Sequence, residues 1–280
     1  MLVSLVIHVR PVEPARVPHF LGGAVQAWFL DQVRQRNAAL ADELHDSQGL
    51  RPYTASRVVG LGEGSPEGVF VHPERPGWLR ITSLRADVSA LLRERIAPSL
   101  PGQVIDVPGA RLRIERTTAD PAEHPWAGTD TYPALLQRHT LTPEWPPRRL
   151  GLAFASPTVF KSNGQYVPFP MPALVFGSLL DRWAAHSPVA IHPEMRRFAA
   201  ECIVASRYRL RTAALSVDGA DKGVVVGFTG DCHYAIRSSD RFWGGLAHLL
   251  AGYAFYAGVG ARTAVGLGQT RPWHHARPDA

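Results

Sequence analysis

The sequence predicts an α+β protein made of two β-α-β-β-α-β units in tandem, the ferredoxin-like (RRM-like) pattern. Three observations predict it. Residues 1–118 alternate strand-like and helix-like patterning in that order, residues 150–275 repeat it in outline, and 119–149 is a stretch crowded with prolines and poor in periodicity. The expected organisation is an N-terminal domain (1–118), a linker (119–149), a C-terminal domain (150–275) and a short tail (276–280).

Leu2–Val9 is apolar and β-branched, which reads as a buried strand, and Pro11, Pro14 and Pro18 mark a loop after it. Across Ala24–Leu44 the residues Val25, Trp28, Phe29, Val33, Leu40 and Leu44 fall at three- and four-residue spacings, which predicts one amphipathic helix. It should stop near His45, because Asp46–Gly49 is turn chemistry and Pro52 forbids continuation. Tyr53–Val59, Val69–His72 and Trp78–Leu84 read as strands, Asp87–Ile96 as a helix ended by Pro98, and Val104–Val107 with Ala110–Arg116 as closing strands. A short helix over Tyr132–Arg138 fits within the proline-rich stretch.

The second half follows suit. Leu150–Ala155 is strand-like, and Pro172–Trp183 is helical, with proline at its first turn. Glu194–Cys202 is a further helical piece, Arg207–Val217 and Gly223–Phe228 are strands, and Asp240–Tyr256 is a helix. Thr263–Thr270 is read as the last strand.

Bulk properties narrow the class. A chain of 280 residues with 45% hydrophobic content forms a core and is not disordered. The net charge of +6 favours an anionic partner, and nearly all the positive charge is arginine, since Lys161 and Lys222 are the only lysines. Arginine's planar fork suits phosphate contacts and base stacking, although a GC-rich genome produces the same bias. Two scattered cysteines, Cys202 and Cys232, form neither a disulfide framework nor a zinc knuckle. With no signal-like N-terminus and no membrane-length apolar run, the expectation is a soluble cytoplasmic protein with no membrane partner.

The most unusual stretch is Gly258-Val-Gly-Ala-Arg-Thr-Ala-Val-Gly-Leu-Gly268. Glycines at this density permit positive φ and close backbone approach, and bare amides in such a turn can cradle an anion. Two phosphate motifs are excluded by context. A dinucleotide fingerprint follows a strand and opens a helix, the reverse of the order here, and a P-loop needs a lysine that is absent.

Gly258-x-Gly-x5-Gly-x-Gly268 after a helix resembles the C-terminal glycine-rich signature of the RAMP superfamily, and specifically of the Cas six endoribonucleases that cut precursor CRISPR RNA within its repeats. Leu44–Ser56 resembles that family's histidine segment and the proline-aromatic strand after it. Ser156–Gly164 with Pro170-x-Pro172 and Leu174–Trp183 is similar to its central block, and Gly227-Phe-Thr-Gly230 to the short motif before its last helix. Together the matches run from about residue 2 to residue 272, in the family's order. The resemblance implies tandem ferredoxin-like domains, CRISPR repeat RNA as partner, and cleavage without a metal or other cofactor. It leaves open a CRISPR effector complex or a second copy of the chain as further partners.

Metal-free RNA cleavage needs a base for the 2′-hydroxyl, an acid for the leaving 5′-oxygen and donors for the phosphorane charge. The resemblance points to His45 as the catalytic histidine. Its expected position at a helix C-terminus would favour imidazolium, and the competing reading is a residue that merely caps carbonyls. Tyr53 and Lys161 are candidate proton-transfer or electrostatic partners. No carboxylate cluster has two-metal spacing: Asp42–Glu43 suits a helix surface, Asp218 and Asp221 bracket a turn, and His274–His275 suits a solvated tail.

For RNA binding, the clearest pattern is Arg207-Tyr-Arg-Leu-Arg211, where strand alternation puts Arg207, Arg209 and Arg211 on one face. A solvated outer face explains the same pattern. Arg111 and Arg113 alternate similarly. Arg262, within the glycine stretch, joins Gly258, Gly260, Gly266 and Gly268 as the expected phosphate contact. Trp28 and Trp183 lie on apolar helix faces and read as core. The alternative function is a non-catalytic RAMP-type RNA-binding subunit of an effector complex, which needs no histidine at position 45.

Overall fold

A computed structural model describes residues 1–46, 49–62, 64–65, 67–216 and 224–273. The chain divides into two compact units. The first comprises Met1–Asp130 with Ala264–Gly266; the second comprises Thr131–Leu215, Val224–Thr263 and the chain from Leu267.

The first unit begins with strand β1 (Leu2–Pro11), a short β2 (Ala15–Val17), helix α1 (Gly22–Arg34) and helix α2 (Ala38–Asp46). Short strands β3 (Tyr53–Ala55), β4 (Gly64–Ser65) and β5 (Gly68–Val71) precede β6 (Gly77–Ser83). Helix α3 (Ala86–Ala90) winds on as a π-helical turn, Leu91–Ile96, and a 3-10 turn, Ala97–Ser99. Strands β7 (Val104–Val107), β8 (Ala110–Thr118) and β9 (Gly128–Asp130) complete the unit. The main sheet runs β3-β6-β1-β8-β7, with β9 also paired to β1. The second, third, first and fourth strands of the repeat therefore lie side by side, which is ferredoxin-like order.

Along β1, Val3, Leu5, Ile7 and Val9 join Val25, Phe29, Val33 and Leu44 in one apolar core. This is the burial that period-two and period-3.6 patterning predicts. The intervening residues point the other way. There, buried Arg80 donates to the Ser4 hydroxyl (2.6 Å) and lies 4.9 Å from the centre of the Trp126 ring.

Three expectations for this unit are corrected. The single helix 24–44 is two helices, because Asn37 starts a new one: its side chain accepts from the Leu40 amide (3.0 Å), while the Arg36 and Asn37 amides both close on the Val33 carbonyl. The apolar stripe runs across the break because both helices face the same core. The strand expected over Tyr53–Val59 ends at Ala55, with Val59 making an isolated bridge to Trp78. The first strand continues through Pro11, pairing it with Leu112, and the loop it was to start contains β2.

The second unit carries helix α4 (Tyr132–Thr140), strands β10 (Arg149–Thr158), β11 (Phe160–Ser162) and β12 (Gln165–Val167), and helices α5 (Pro172–His186) and α6 (Glu194–Cys202). Strands β13 (Ile203–Ser216) and β14 (Val224–Ile236), helix α7 (Arg241–Ala257) and β15 (Thr270–Pro272) follow; in the 3-10 turn Thr263–Val265 between α7 and β15, Ala264 and Val265 count with the first unit. Its sheet runs β13-β14-β10-β15, again second, third, first and fourth. Aromatic side chains fill the core: Phe154 meets Phe228 (4.9 Å), Phe176 meets Tyr234 (5.7 Å) and Trp183 meets Tyr253 (5.1 Å between ring centres). Trp183 is fully buried, as its helix face predicts, and Trp28 packs partly buried against the first unit's core. The proline-rich stretch 119–149 holds β9 and α4; Tyr132 of α4 lies 5.9 Å from the Tyr253 ring of α7.

The last strand is the fourth correction. Thr263–Gly268 is not extended; only Thr270–Pro272 pairs with β10. Among the described residues no helix is long and apolar enough to cross a membrane. His274, His275, Asp218, Asp221 and the tail 276–280 lie outside the described residues.

Candidate functional site

His45 is exposed in the last turn of α2. A helix end leaves carbonyls without intrahelical donors, and here Arg51 supplies them: its guanidinium donates to the carbonyls of Leu44 and His45. Among the described residues the His45 imidazole has no hydrogen-bond partner. Capping at these two carbonyls is therefore done by Arg51, and the imidazole is left facing solvent. Arg51 was the signal the sequence hid, since a side chain reaching back across a turn has no periodicity.

Tyr53 is fully buried in β3, its ring is 5.0 Å from that of Phe29, and its hydroxyl accepts from Gln26 Nε2 (3.0 Å). Burial pushes the phenol above its ordinary value. Gln26 and Arg51 are the side chains that act on this phenol. Lys161 is exposed on β11 of the second unit, opposite Tyr166 across the β11–β12 hairpin.

Arg207, Arg209 and Arg211 are exposed along β13, an edge strand of the second sheet. Among the described residues none of the three is in an ion pair. Arg111 by contrast faces Glu13 (3.5 Å).

The glycine stretch is built differently from a bare cradle. The Gly258 amide donates to Ala254, that of Val259 to Gly268, that of Ala261 to Val159 and that of Gly268 to Pro157, at 2.8–3.0 Å. Gly260 is held from both sides. Its amide donates to Ser178 Oγ (2.9 Å), and its carbonyl accepts from Arg182 Nη2 (2.9 Å), both side chains standing one turn apart on α5. The amides of Gly258, Gly260 and Gly268 are thus already donated inside the protein, which corrects the expectation that they are open to phosphate. The glycines are needed for shape. At Gly260, φ is +80° and a Cβ would collide with the Val159 carbonyl. Arg262 also has positive φ, +59°, and is half-buried. Gly266 belongs to the first unit with Ala264 and Val265; a Cβ on it would sit 2.9 Å from the Arg57 amide.

Arg182 is buried, and its Nε has no hydrogen-bond partner among the described residues. Burial pulls its pKa below the ordinary guanidinium value. Sequence reading passed over Ser178 and Arg182, although a polar pair four residues apart within an apolar helix face is a visible signal. Among the described residues, no group of three or more His, Cys, Asp or Glu side chains is placed to hold a metal ion.

Two ferredoxin-like sheets in tandem, followed by a glycine stretch after the last helix, define the class of fold. The family model described as CRISPR-associated endoribonuclease Cas6 matches residues 152–270. A solved Cas6 product complex is 30% identical, with 98% of this chain and 99% of that one covered and a TM-score of 0.75. A second Cas6 product complex is 27% identical over 98% and 100% of the two chains, with a TM-score of 0.76. The curated Cas6 endoribonuclease of Mycobacterium tuberculosis is 31% identical over 128 residues, 44% of this chain. That match spans 38% of the length of the mycobacterial protein. The chain belongs to the CRISPR-associated Cas6 family.

Proposed function

We propose that the protein is a metal-independent endoribonuclease that cleaves precursor CRISPR RNA within its repeats. The 2′-hydroxyl attacks the adjacent phosphorus, the P–O5′ bond breaks, and the products end in a 2′,3′-cyclic phosphate and a 5′-hydroxyl. The observation that carries this reading is the exposed His45 imidazole, which the Arg51 cap frees from structural duty. Histidine titrates near neutrality and suits either proton transfer, as base to the 2′-hydroxyl or acid to the leaving oxygen. Tyr53, beside Arg51, acts electrostatically on the segment that carries His45.

Arg207, Arg209, Arg211 and Lys161 track the RNA backbone, which is the sequence-independent part of binding. Arg262 supplies a further phosphate contact, and Gly258, Gly260, Gly266 and Gly268 give the loop around it its shape. The cytoplasm is the compartment of this processing.

The test incubates the protein in EDTA with repeat RNA, with the same RNA carrying a deoxyribose at the cut site, and beside His45→Ala. The expected result is cleavage of the ribose substrate by wild type alone. Cleavage by His45→Ala at the wild-type rate sinks the assignment of His45, and binding without cleavage by wild type favours the non-catalytic RAMP subunit.

A further inference from the structure

One face of the first unit's main sheet packs on the apolar core, and the chain between β8 and β9, residues 119–127, lies on the other. Its contacts are specific. The Ser4 hydroxyl donates to the Trp126 carbonyl, and the Trp126 ring centre is 4.9 Å from the Arg80 guanidinium and 6.4 Å from the Trp78 ring, on which it stacks. His124 meets Trp78 (4.8 Å) and His8 (5.5 Å), edge to face in both cases.

One bond in this set depends on the charge of a histidine. The Trp126 amide donates to His124 Nδ1 (3.1 Å), so that nitrogen carries a lone pair and the imidazole is neutral. A proton there would turn the acceptor into a donor and break the bond. The surroundings resist the charge as well. His8 Nε2 is buried without a hydrogen-bond partner among the described residues. The charged groups around the two rings are Arg10 on β1, Arg80 on β6, Glu115 and Arg116 on β8, and Asp120 and Glu123 on the segment itself. Each carboxylate is already engaged: Glu115 pairs with Arg10, Glu123 with Arg116 (2.9 Å), and Asp120 accepts from the Ala122 amide (2.8 Å). Burial, then His8, Arg116 and Arg80, hold the His124 pKa below its ordinary value; burial and Arg116 do the same for His8 against Glu115 and Glu123.

We propose that residues 119–127 form an acid-released strap: a proton on His124 Nδ1 removes the acceptor of the Trp126 amide and sets an imidazolium beside Arg116 and Arg80, and the segment leaves the sheet. Release uncovers Trp78 and Arg80. The direction follows from linkage. The closed strap lowers the pKa of His124 and the open one does not, so the open form takes the proton first. The strap is therefore closed above the ordinary histidine value of 6.5 and opens as pH falls below it.

The experiment is residue-resolved amide hydrogen exchange, expressed as protection so that the intrinsic pH dependence of exchange cancels. Between about pH 7.5 and about pH 5.5, protection at Trp126 and Ala127 should fall about 10-fold while the amides of β1 keep theirs. His124→Asn retains an oxygen that can accept the amide two residues on and does not titrate, so its protection should not change with pH. His124→Ala has no acceptor and should show low protection at both values. Circular dichroism melting of each variant reports that the protein is folded. Protection at Trp126 that is independent of pH in wild type, or that falls equally in His124→Asn, overturns the strap. Loss of protection that spreads to β1 over the same pH range reports unfolding of the sheet and overturns it too.

Discussion

The two units share a strand order and part company at the fourth strand. In the first, β8 has nine residues and pairs with β1 from Val6 to Pro11. In the second, β15 has three residues and pairs with β10 only from Leu152 to Phe154. The chain that would have extended it is the glycine stretch, which closes on itself through the Val259 amide, on Val159 through the Ala261 amide and on β10 through the Gly268 amide. The same topology thus ends in a strand in one unit and in a shaped loop in the other. Backbone hydrogen bonds are made both ways, between strands in the first unit and through the Val259, Ala261 and Gly268 amides in the second. The proposed chemistry divides in the same way, with His45 in the first unit and the exposed arginines in the second.

The largest expected effect tests that division. His45→Ala should lower single-turnover cleavage of repeat RNA by about 10²–10⁴-fold with binding unchanged; equal loss in binding and rate would show that the first unit's histidine binds and does not cut. Next, Gly260→Ala should destabilise the protein by about 2–3 kcal/mol in chemical denaturation, since positive φ and the Val159 collision act together. Gly102→Ala, at φ +88° with open space around it, carries only the backbone penalty of about 1 kcal/mol and is its control in the first unit. Equal losses at the two sites would mean that the loop is no more tightly packed than an ordinary turn. Ser178→Ala should cost about 1 kcal/mol by leaving the Gly260 amide unpaired.

The smallest effect is a pH dependence to which a histidine pair of the first unit contributes. His8 and His124 lie 5.5 Å apart between ring centres, facing Arg116, Arg80, Glu115 and Glu123. Burial, with Arg116 on the first and His8 on the second, holds both imidazoles below the ordinary 6.5. Their folded pKa is depressed, so the unfolded chain binds protons first. The stability they contribute is present above about pH 6.5 and is lost as pH falls below it. Melting temperature should therefore drop on acidification below that value, and His8→Gln with His124→Gln should flatten the drop.

Much of the fold was legible because burial follows period: the odd-numbered residues of β1 and the apolar stripe of α1 and α2 are written in the chain. The break at Asn37 was not, since both helices bury the same stripe and only a local side-chain bond separates them. Thr263–Gly268 read as a strand because alternating small and apolar residues look alike whether they pair with a sheet or fold into a loop. The site was less legible. The resemblance pointed to His45, but Arg51's role depends on a turn, and Tyr53 sits where three consecutive residues of β3 are all buried, so no alternation marked it as core.

Gly260 between Ser178 and Arg182 has a consequence for motion. Glycine-rich segments ordinarily exchange their amide protons with solvent quickly, because little resists local opening. Here, opening at Gly260 would strip a buried guanidinium of the carbonyl that receives it. Deuterium uptake at this amide should follow that of helix α5, and a segment with the composition of a flexible tether should behave as part of the core.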